Sequence, residues 1–135
     1  MGVALLLITH DNIGKSLLSA AENMLGSSPI RCKNLMISQQ MDIEQGFEQA
    51  SRLCRDLDEG DGVLVVTDIY GSTPGNIAAK LLQDKSQTET IIMTGANLPM
   101  LVRIMNYAHL SLAELAKKAN TNDSIFIISH SISCD

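Results

Sequence analysis

The chain has 135 residues, a formal charge of −5, no tryptophan, and only two phenylalanines and two tyrosines. This length predicts a single domain, residues 1–135, with an aliphatic core, and the acidity argues against nucleic-acid binding. Cys32, Cys54 and Cys134 are too far apart for a zinc site, and no run approaches the ~18 apolar residues of a membrane span, so we expect a cytoplasmic protein with reduced thiols.

Strand and helix patterns alternate along the whole chain. The first apolar run, residues 3–9, is rich in leucine and β-branched side chains, which is typical of a strand buried on both faces. Further strands are predicted at residues 34–38, 63–67, 90–94 and 124–129. Apolar residues at helical spacing follow the first four strands, and Ser111 begins one more helix before the fifth. We therefore predict an α/β fold, a doubly wound, mostly parallel five-stranded sheet with helices on both faces.

Polar residues follow three of the predicted strands. His10 follows the first strand, Asp68 follows the third, and Asn97 comes shortly after the fourth. Because the carboxyl ends of parallel strands lie along one edge of a sheet, where open α/β sheets bind ligands, we expect His10 and Asp68 to meet there. An aspartate that accepts the proton of one imidazole nitrogen leaves the other nitrogen as a nucleophile. Asp11 is a rival for this orienting role, although its adjacency to His10 makes the geometry awkward.

The segment Gly71-Ser72-Thr73-Pro74 opens the helix that follows Asp68. Backbone N–H groups at a helix start bind anions, and the hydroxyls of Ser72 and Thr73 can add donors, so the segment suits a phosphoryl group. Simple N-capping is the structural alternative. The chain has no Walker A loop, no dinucleotide fingerprint and no G-x-S-x-G nucleophile elbow. A phosphate-handling protein without a nucleotide site would receive its phosphate from another protein.

Three segments occur in a characteristic order and at characteristic separations: Ile8-Thr9-His10, residues 67–76 and residues 95–101. Together they resemble the IIA component of the mannose/fructose/sorbose class of the bacterial phosphoenolpyruvate-dependent sugar phosphotransferase system (PTS). The chain departs from that family at two positions. Ser72 stands where a second glycine is usual, and Gly75 stands where a bulky apolar residue is usual.

The resemblance implies a phosphotransferase that works through a phosphohistidine. His10 would accept a phosphoryl group from the phosphocarrier protein HPr and pass it to a IIB component, while Asp68 orients the imidazole ring. Gly71, Ser72 and Thr73 would lie beside the phosphohistidine. The resemblance also places Asn97 close to this site. The residues themselves call for no metal and no cofactor.

The resemblance also implies an assembly and a location. A free-standing IIA protein of this class serves sugar uptake from the cytoplasm, peripheral to a membrane-embedded IIC/IID permease. Members are commonly homodimers that exchange an antiparallel last strand, which corresponds to residues 125–129 here. An apolar rim for the successive protein partners is predicted from Ile69, Leu98 and Met100, with core packing as the alternative.

Three other functions stay open at this point. The phosphotransfer subunit of dihydroxyacetone kinase has a similar domain with a phosphorylated histidine. A regulatory module could be phosphorylated on His10 without carrying flux, and a hydrolase could use Asp68, His10 and Ser72. His109 and His130 are alternative phosphoacceptors.

Overall fold

The computed structural model describes residues 2–83 and 88–120. Strands and helices alternate along these residues until two helices in succession close the described part of the chain. The elements are β1 (Ala4–His10), α1 (Ile13–Leu25), β2 (Cys32–Ile37), α2 (Ile43–Leu57), β3 (Val63–Thr67), α3 (Thr73–Gln83), β4 (Thr90–Thr94), α4 (Leu98–Asn106) and α5 (Leu112–Ala119). Of these helices, none has both the length and the hydropathy needed to cross a membrane.

The four strands form one parallel sheet in the order β2-β1-β3-β4. From β1 the chain adds β2 on one side and then β3 and β4 on the other, so the direction of winding reverses between β1 and β3. Open α/β sheets bind their ligands beyond the carboxyl ends of the strands at such a reversal. The register pairs Ile8 with Thr67, which brings His10 and Asp68 to the same edge.

Helices cover both faces of the sheet and create two apolar cores. One core lies between the sheet and helices α1, α4 and α5, and the other lies between the sheet and helices α2 and α3. Successive residues of β1 point into opposite cores, so Leu5 and Leu7 face the first core while Leu6 and Ile8 face the second. This double burial explains the unbroken apolar runs of β1 and β3. The predicted doubly wound α/β architecture is confirmed.

Four strand boundaries differ from the prediction, because β1 spans residues 4–10 rather than 3–9 and β2 spans residues 32–37 rather than 34–38. His10 is the last residue of β1 and not the residue after it, and β2 begins at Cys32, two residues before the predicted start. The early start was missed because β2 is an edge strand of the described sheet, and Lys33 near its start is exposed to solvent. The described sheet is parallel throughout. The predicted fifth strand at 124–129, its antiparallel direction and its exchange between subunits lie outside the described residues.

Within the described residues, neither Cys32 nor Cys54 forms a disulfide bond. Cys54 belongs to α2 and is buried in the core that this helix covers, whereas Cys32 is only half-buried at the start of β2. Burial is the largest influence on the Cys32 thiol and raises its pKa. Cys134 lies outside the described residues.

Candidate functional site

The candidate site lies where the winding of the sheet reverses, at the carboxyl ends of β1 and β3. His10 ends β1, and Asp68 follows directly after β3. Asp68 Oδ2 lies 2.8 Å from His10 Nδ1, and the same oxygen accepts a hydrogen bond of 3.1 Å from the His10 backbone N–H. The other carboxylate oxygen, Oδ1, accepts a hydrogen bond of 3.1 Å from the Ile69 backbone N–H.

These hydrogen bonds keep Asp68 ionised and fix the tautomer of the neutral His10 ring. Burial is the largest single influence on the Asp68 pKa and raises it, but the hydrogen bonds from the His10 ring and backbone, the charge of His10 and a further backbone hydrogen bond together outweigh burial, and the pKa lies below its ordinary value. The carboxylate is therefore ionised at neutral pH and can only accept hydrogen bonds. Because Oδ2 can only accept, Nδ1 of His10 carries the proton in the neutral ring. The lone pair is then on Nε2.

The two side chains differ in exposure. The side chain of His10 is 41% exposed, whereas that of Asp68 is only 12% exposed. The carboxylate is thus shielded behind a ring that solvent and partners can reach. The imidazole borders a cleft of about 310 Å³, which is also lined by Asp11, Ile37, Ser38, Gln39, Met41 and Thr73.

The turn between Asp68 and α3 combines a left-handed glycine with a capping serine. Gly71 has φ of 81°, a conformation that side chains disfavour. The Ser72 hydroxyl donates to the Ile69 carbonyl at 2.7 Å and accepts a hydrogen bond from the Gly75 N–H at 3.4 Å. Ser72 therefore caps α3. Thr73, the first residue of that helix, lines the same cleft as His10.

This capping arrangement bears on the hydrolase alternative. A nucleophilic serine needs its hydroxyl proton to be taken by a neighbouring base, here His10. The Ser72 hydroxyl instead donates a hydrogen bond to the Ile69 carbonyl, and Nδ1 of His10 is hydrogen-bonded to Asp68. The geometry does not form a Ser-His-Asp relay.

A buried network that the sequence reasoning missed supports the start of α1. Thr9 Oγ1 accepts a hydrogen bond of 2.9 Å from the Gly14 N–H and donates one of 3.4 Å to Asn34 Oδ1. A Cβ atom added at Gly14 would overlap the Asn34 amide and lie 2.8 Å from Thr9 Oγ1. The only signal in the sequence was Thr9, a polar residue that directly precedes His10 and points into a core. The network fixes α1 against β1 and β2 beside His10.

Asn97, the third predicted motif, acts as the N-cap of α4. Its side-chain oxygen accepts a hydrogen bond of 2.9 Å from the Met100 N–H, and its amide donates to the Gly95 carbonyl at 3.0 Å. The adjacent Ala96 N–H donates to the Thr67 carbonyl at 2.9 Å, which ties the loop to the end of β3. Among the described residues, no hydrogen bond joins Asn97 to His10 or to Asp68.

The exposed apolar residues near the site differ from those predicted for the rim. Met100 is buried in the core, so its interpretation as a rim residue is wrong, and Leu98 packs partly against the same core. Ile69 is 57% exposed, and the neighbouring Tyr70, which the prediction omitted, is 86% exposed. The apolar surface directly after Asp68 is therefore formed by Ile69 and Tyr70.

His109, a rival phosphoacceptor, does not join the site. His109 is exposed and lines a different cleft with Asp61 and Glu89, which precede β3 and β4. It therefore lies at the amino end of the sheet, opposite His10. His130 lies outside the described residues. Within residues 2–83 and 88–120, no group of three or more His, Cys, Asp or Glu side chains is arranged to hold a metal ion.

Comparison with protein families and sequences adds an independent observation. Residues 4–120 match the family described as "PTS system fructose IIA component". The mannose-specific EIIAB component of the PTS from Escherichia coli (strain K12) is 30% identical over 106 residues, which cover 78% of this chain and 32% of that protein. The chain thus spans about a third of the length of the curated relatives it matches.

Solved structures share the fold. The mannose/sorbose specific IIA subunit from Enterococcus faecalis has a TM-score of 0.82 at 17% identity, covering 98% of this chain and 99% of that chain. The PTS IIA protein associated with the fucose utilization operon of Streptococcus pneumoniae has a TM-score of 0.72 at 25% identity, covering 94% and 93%. These matches agree with the resemblance inferred from the three sequence segments.

Proposed function

The chain belongs to the family of PTS IIA components, in its mannose class, and from this premise we propose that it is a phosphoryl carrier. In this proposal His10 accepts a phosphoryl group from phospho-HPr and passes it to a IIB component during sugar uptake. The curated relatives support a IIB acceptor, because their name joins the IIA and IIB components. The proposal places the chain in the cytoplasm as a homodimer that works with a IIC/IID permease.

The observation that carries the proposal is the orientation of the His10 ring. Asp68 Oδ2 lies 2.8 Å from Nδ1, and the half-exposed ring borders an open cleft. A protonated Nδ1 leaves the lone pair of Nε2 available to an incoming phosphorus atom. The fixed tautomer therefore presents a nucleophile without any rearrangement of the site.

The transfer step follows from this arrangement. The Nε2 lone pair forms a new N–P bond while the N–P bond of the donor phosphohistidine breaks, and the electron pair of that bond returns to the donor imidazole. The proton stays on Nδ1. The His10 ring gains positive charge, which the Asp68 carboxylate stabilises at hydrogen-bond distance. Since a phosphohistidine is consumed and another is formed, the step is nearly balanced in free energy and reversible.

The start of α3 provides the surroundings of the phosphoryl group in this proposal. Thr73 lines the cleft beside His10, and the backbone N–H groups of a helix start favour anions. The Ser72 hydroxyl is engaged in the cap, so Ser72 contributes its backbone N–H rather than its side chain. Gly71 and Thr73 complete the segment.

HPr and the IIB component must bind a surface next to the His10 ring in order to reach it. Ile69 and Tyr70 expose apolar area immediately after Asp68, and tyrosine is enriched among the residues that dominate interface energies. We assign the docking of HPr and of the IIB component to this surface. Both partners use it in turn, because both must reach the same Nε2 atom.

The proposal is tested by intact-protein mass spectrometry after incubation with phosphoenolpyruvate, enzyme I and HPr. We expect one added phosphoryl group that is lost in acid, present in the wild-type chain and in His109→Ala, and absent in His10→Ala. Retained labelling of His10→Ala would show that a residue other than His10 accepts the phosphoryl group. Absence of labelling in the wild-type chain, with HPr shown to be phosphorylated, would refute the carrier role.

The identity of the acceptor needs a second measurement. The phosphorylated chain is mixed with a IIB component or with the kinase subunits of dihydroxyacetone kinase, and the loss of label is followed over time. Transfer to IIB at a rate that supports turnover is expected. Transfer only to the kinase subunits would favour the dihydroxyacetone kinase alternative, and a stable label in both mixtures would favour a regulatory module.

A further inference from the structure

Asp11, the residue after His10, has an unusual backbone conformation. Its φ is 44°, and it is the one non-glycine residue with positive φ among the described residues. This left-handed region is costly for residues with a side chain, although aspartate and asparagine tolerate it best. Such outliers persist where the surrounding structure enforces them, and they concentrate at functional sites.

The surrounding structure shows what enforces the turn. The Asp11 N–H donates to the Ile37 carbonyl at 3.2 Å, which joins the end of β1 to the end of β2. Two residues later α1 begins, and Thr9 Oγ1 binds the Gly14 N–H of its first turn. The chain is therefore held on both sides of Asp11. A glycine would adopt this conformation at no steric cost, so the presence of an aspartate calls for a role of its carboxylate.

The side chain of Asp11 lies at the site without holding the imidazole. Asp11 is exposed and lines the same cleft as His10. No hydrogen bond joins the Asp11 carboxylate to the His10 ring within the described part of the chain, because Nδ1 is held by Asp68. The left-handed turn thus places a second negative charge beside the nucleophile without giving it the orienting role.

We propose that Asp11 sets the phosphoryl-transfer equilibrium of His10 by repelling the bound phosphoryl group. The inference rests on the proposed carrier function and adds a determinant of its energetics. The step is the transfer described above, with the N–P bond formed at Nε2 and the donor N–P bond broken. The carboxylate opposes the accumulation of charge on the cleft side of the ring, so phospho-His10 gives up its phosphoryl group more readily.

The size of the effect follows from Coulomb's law. A carboxylate about 7 Å from a phosphoryl group carrying about two negative charges changes the equilibrium by about 7-fold in unscreened water. At an ionic strength of about 0.1 M the Debye length is about 10 Å, and screening reduces the change to about 3-fold.

The test uses Asp11→Asn, which removes the charge while keeping a residue that tolerates the left-handed turn. The matched control is Asp61→Asn, which removes an exposed carboxylate at the amino end of the sheet. Each chain is equilibrated with HPr and phospho-HPr, and the phosphorylated fraction is measured by mass spectrometry. We expect Asp11→Asn to favour the phosphorylated chain by about 3-fold at 0.1 M ionic strength and by more at low salt. Asp61→Asn should leave the equilibrium unchanged.

Two outcomes of this experiment would overturn the inference while leaving the carrier function intact. One is an equilibrium constant that is the same in Asp11→Asn and in the wild-type chain. The other is slower transfer in both directions with the equilibrium unchanged, which would assign Asp11 to partner recognition.

If HPr fails to phosphorylate the wild-type chain, a small-molecule phosphoryl donor can test the effect of Asp11 on His10. Phosphoramidate is a small anionic donor that phosphorylates accessible imidazoles. Labelling of His10 by phosphoramidate should be about 2- to 3-fold faster in Asp11→Asn at low salt than in the wild-type chain or in Asp61→Asn. Equal rates in all three chains would refute the repulsion. A lack of HPr-dependent labelling alone would refute only the carrier function.

Discussion

The Asp68→Asn substitution probes the hydrogen bonds that set the His10 tautomer. Oδ2 faces two donors, the backbone N–H and Nδ1–H of His10, while Oδ1 faces the Ile69 N–H. An asparagine has one acceptor oxygen, so it cannot accept hydrogen bonds from the His10 donors and from the Ile69 N–H at the same time. If its oxygen faces His10, its NH₂ group meets the Ile69 N–H. If it flips, the NH₂ group donates to Nδ1, and the proton moves to Nε2.

The expected loss of rate has two parts. Replacing the carboxylate removes a charge-assisted hydrogen bond to a ring that becomes positive, which contributes about 1.5–3 kcal/mol. That energy corresponds to about 10- to 150-fold in rate. The flipped amide adds to the loss, because it stabilises the tautomer whose Nε2 carries a proton and cannot attack. We therefore expect both Asp68→Asn and Asp68→Ala to slow transfer from phospho-HPr by about 10²-fold.

Rapid-quench measurement of a single transfer from phospho-HPr gives the rate directly, and nitrogen NMR of the His10 ring reports the tautomer. The wild-type ring should carry its proton on Nδ1, and Asp68→Asn should show a mixture of tautomers. Thermal unfolding of each variant controls for loss of the fold. A rate for Asp68→Asn within about 3-fold of the wild-type rate would contradict this prediction. It would show that Asp68 neither stabilises the positive charge on the His10 ring nor sets the tautomer that attacks.

Three further predictions concern the surroundings of the site. Gly14→Ala should lower the free energy of unfolding by about 1–3 kcal/mol, because the new methyl group overlaps the Asn34 amide; urea titration measures this, and adding Asn34→Ala should recover part of it. The Asp68 pKa lies below its ordinary value, so its stabilising contribution is complete above about pH 5 and is lost as the pH falls below about 4. The stability difference between the wild-type chain and Asp68→Asn should therefore shrink on acidification, and a constant difference from pH 5 to pH 2 would contradict the shift. Tyr70→Ala should lower kcat/KM with phospho-HPr by about tenfold through KM, whereas labelling by phosphoramidate and the control Leu82→Ala, also at an exposed side chain, should be unaffected.

The meeting of His10 and Asp68 could be anticipated because it depends on few assumptions. Apolar runs buried on both faces indicate a parallel sheet, and parallel strands share one carboxyl edge. The only further requirement is that β1 and β3 are neighbours, which the strand order β2-β1-β3-β4 provides. The role of Ser72 as a cap was also among the open alternatives.

Other features depend on contacts that no local pattern reports. The hydrogen bond between Thr9 and Asn34 requires the pairing of β1 with β2, and the need for glycine at position 14 follows from the approach of α1 to that pair. The left-handed turn at Asp11 could not be predicted, because the residue in that conformation is not a glycine. Met100 was misplaced because the first turn of α4 directs it towards the sheet, a direction that depends on how the helix packs.

The nitrogen of the His10 ring that carries the phosphoryl group distinguishes this mechanism from its alternatives. After incubation with phosphoenolpyruvate, enzyme I and HPr, a phosphorus–proton NMR correlation distinguishes phosphorylation at Nε2 from phosphorylation at Nδ1. We expect phosphorylation at Nε2, because Nδ1 lies 2.8 Å from Asp68 and carries the proton. A phosphoryl group on Nδ1, or on a residue other than His10, would contradict the proposed mechanism.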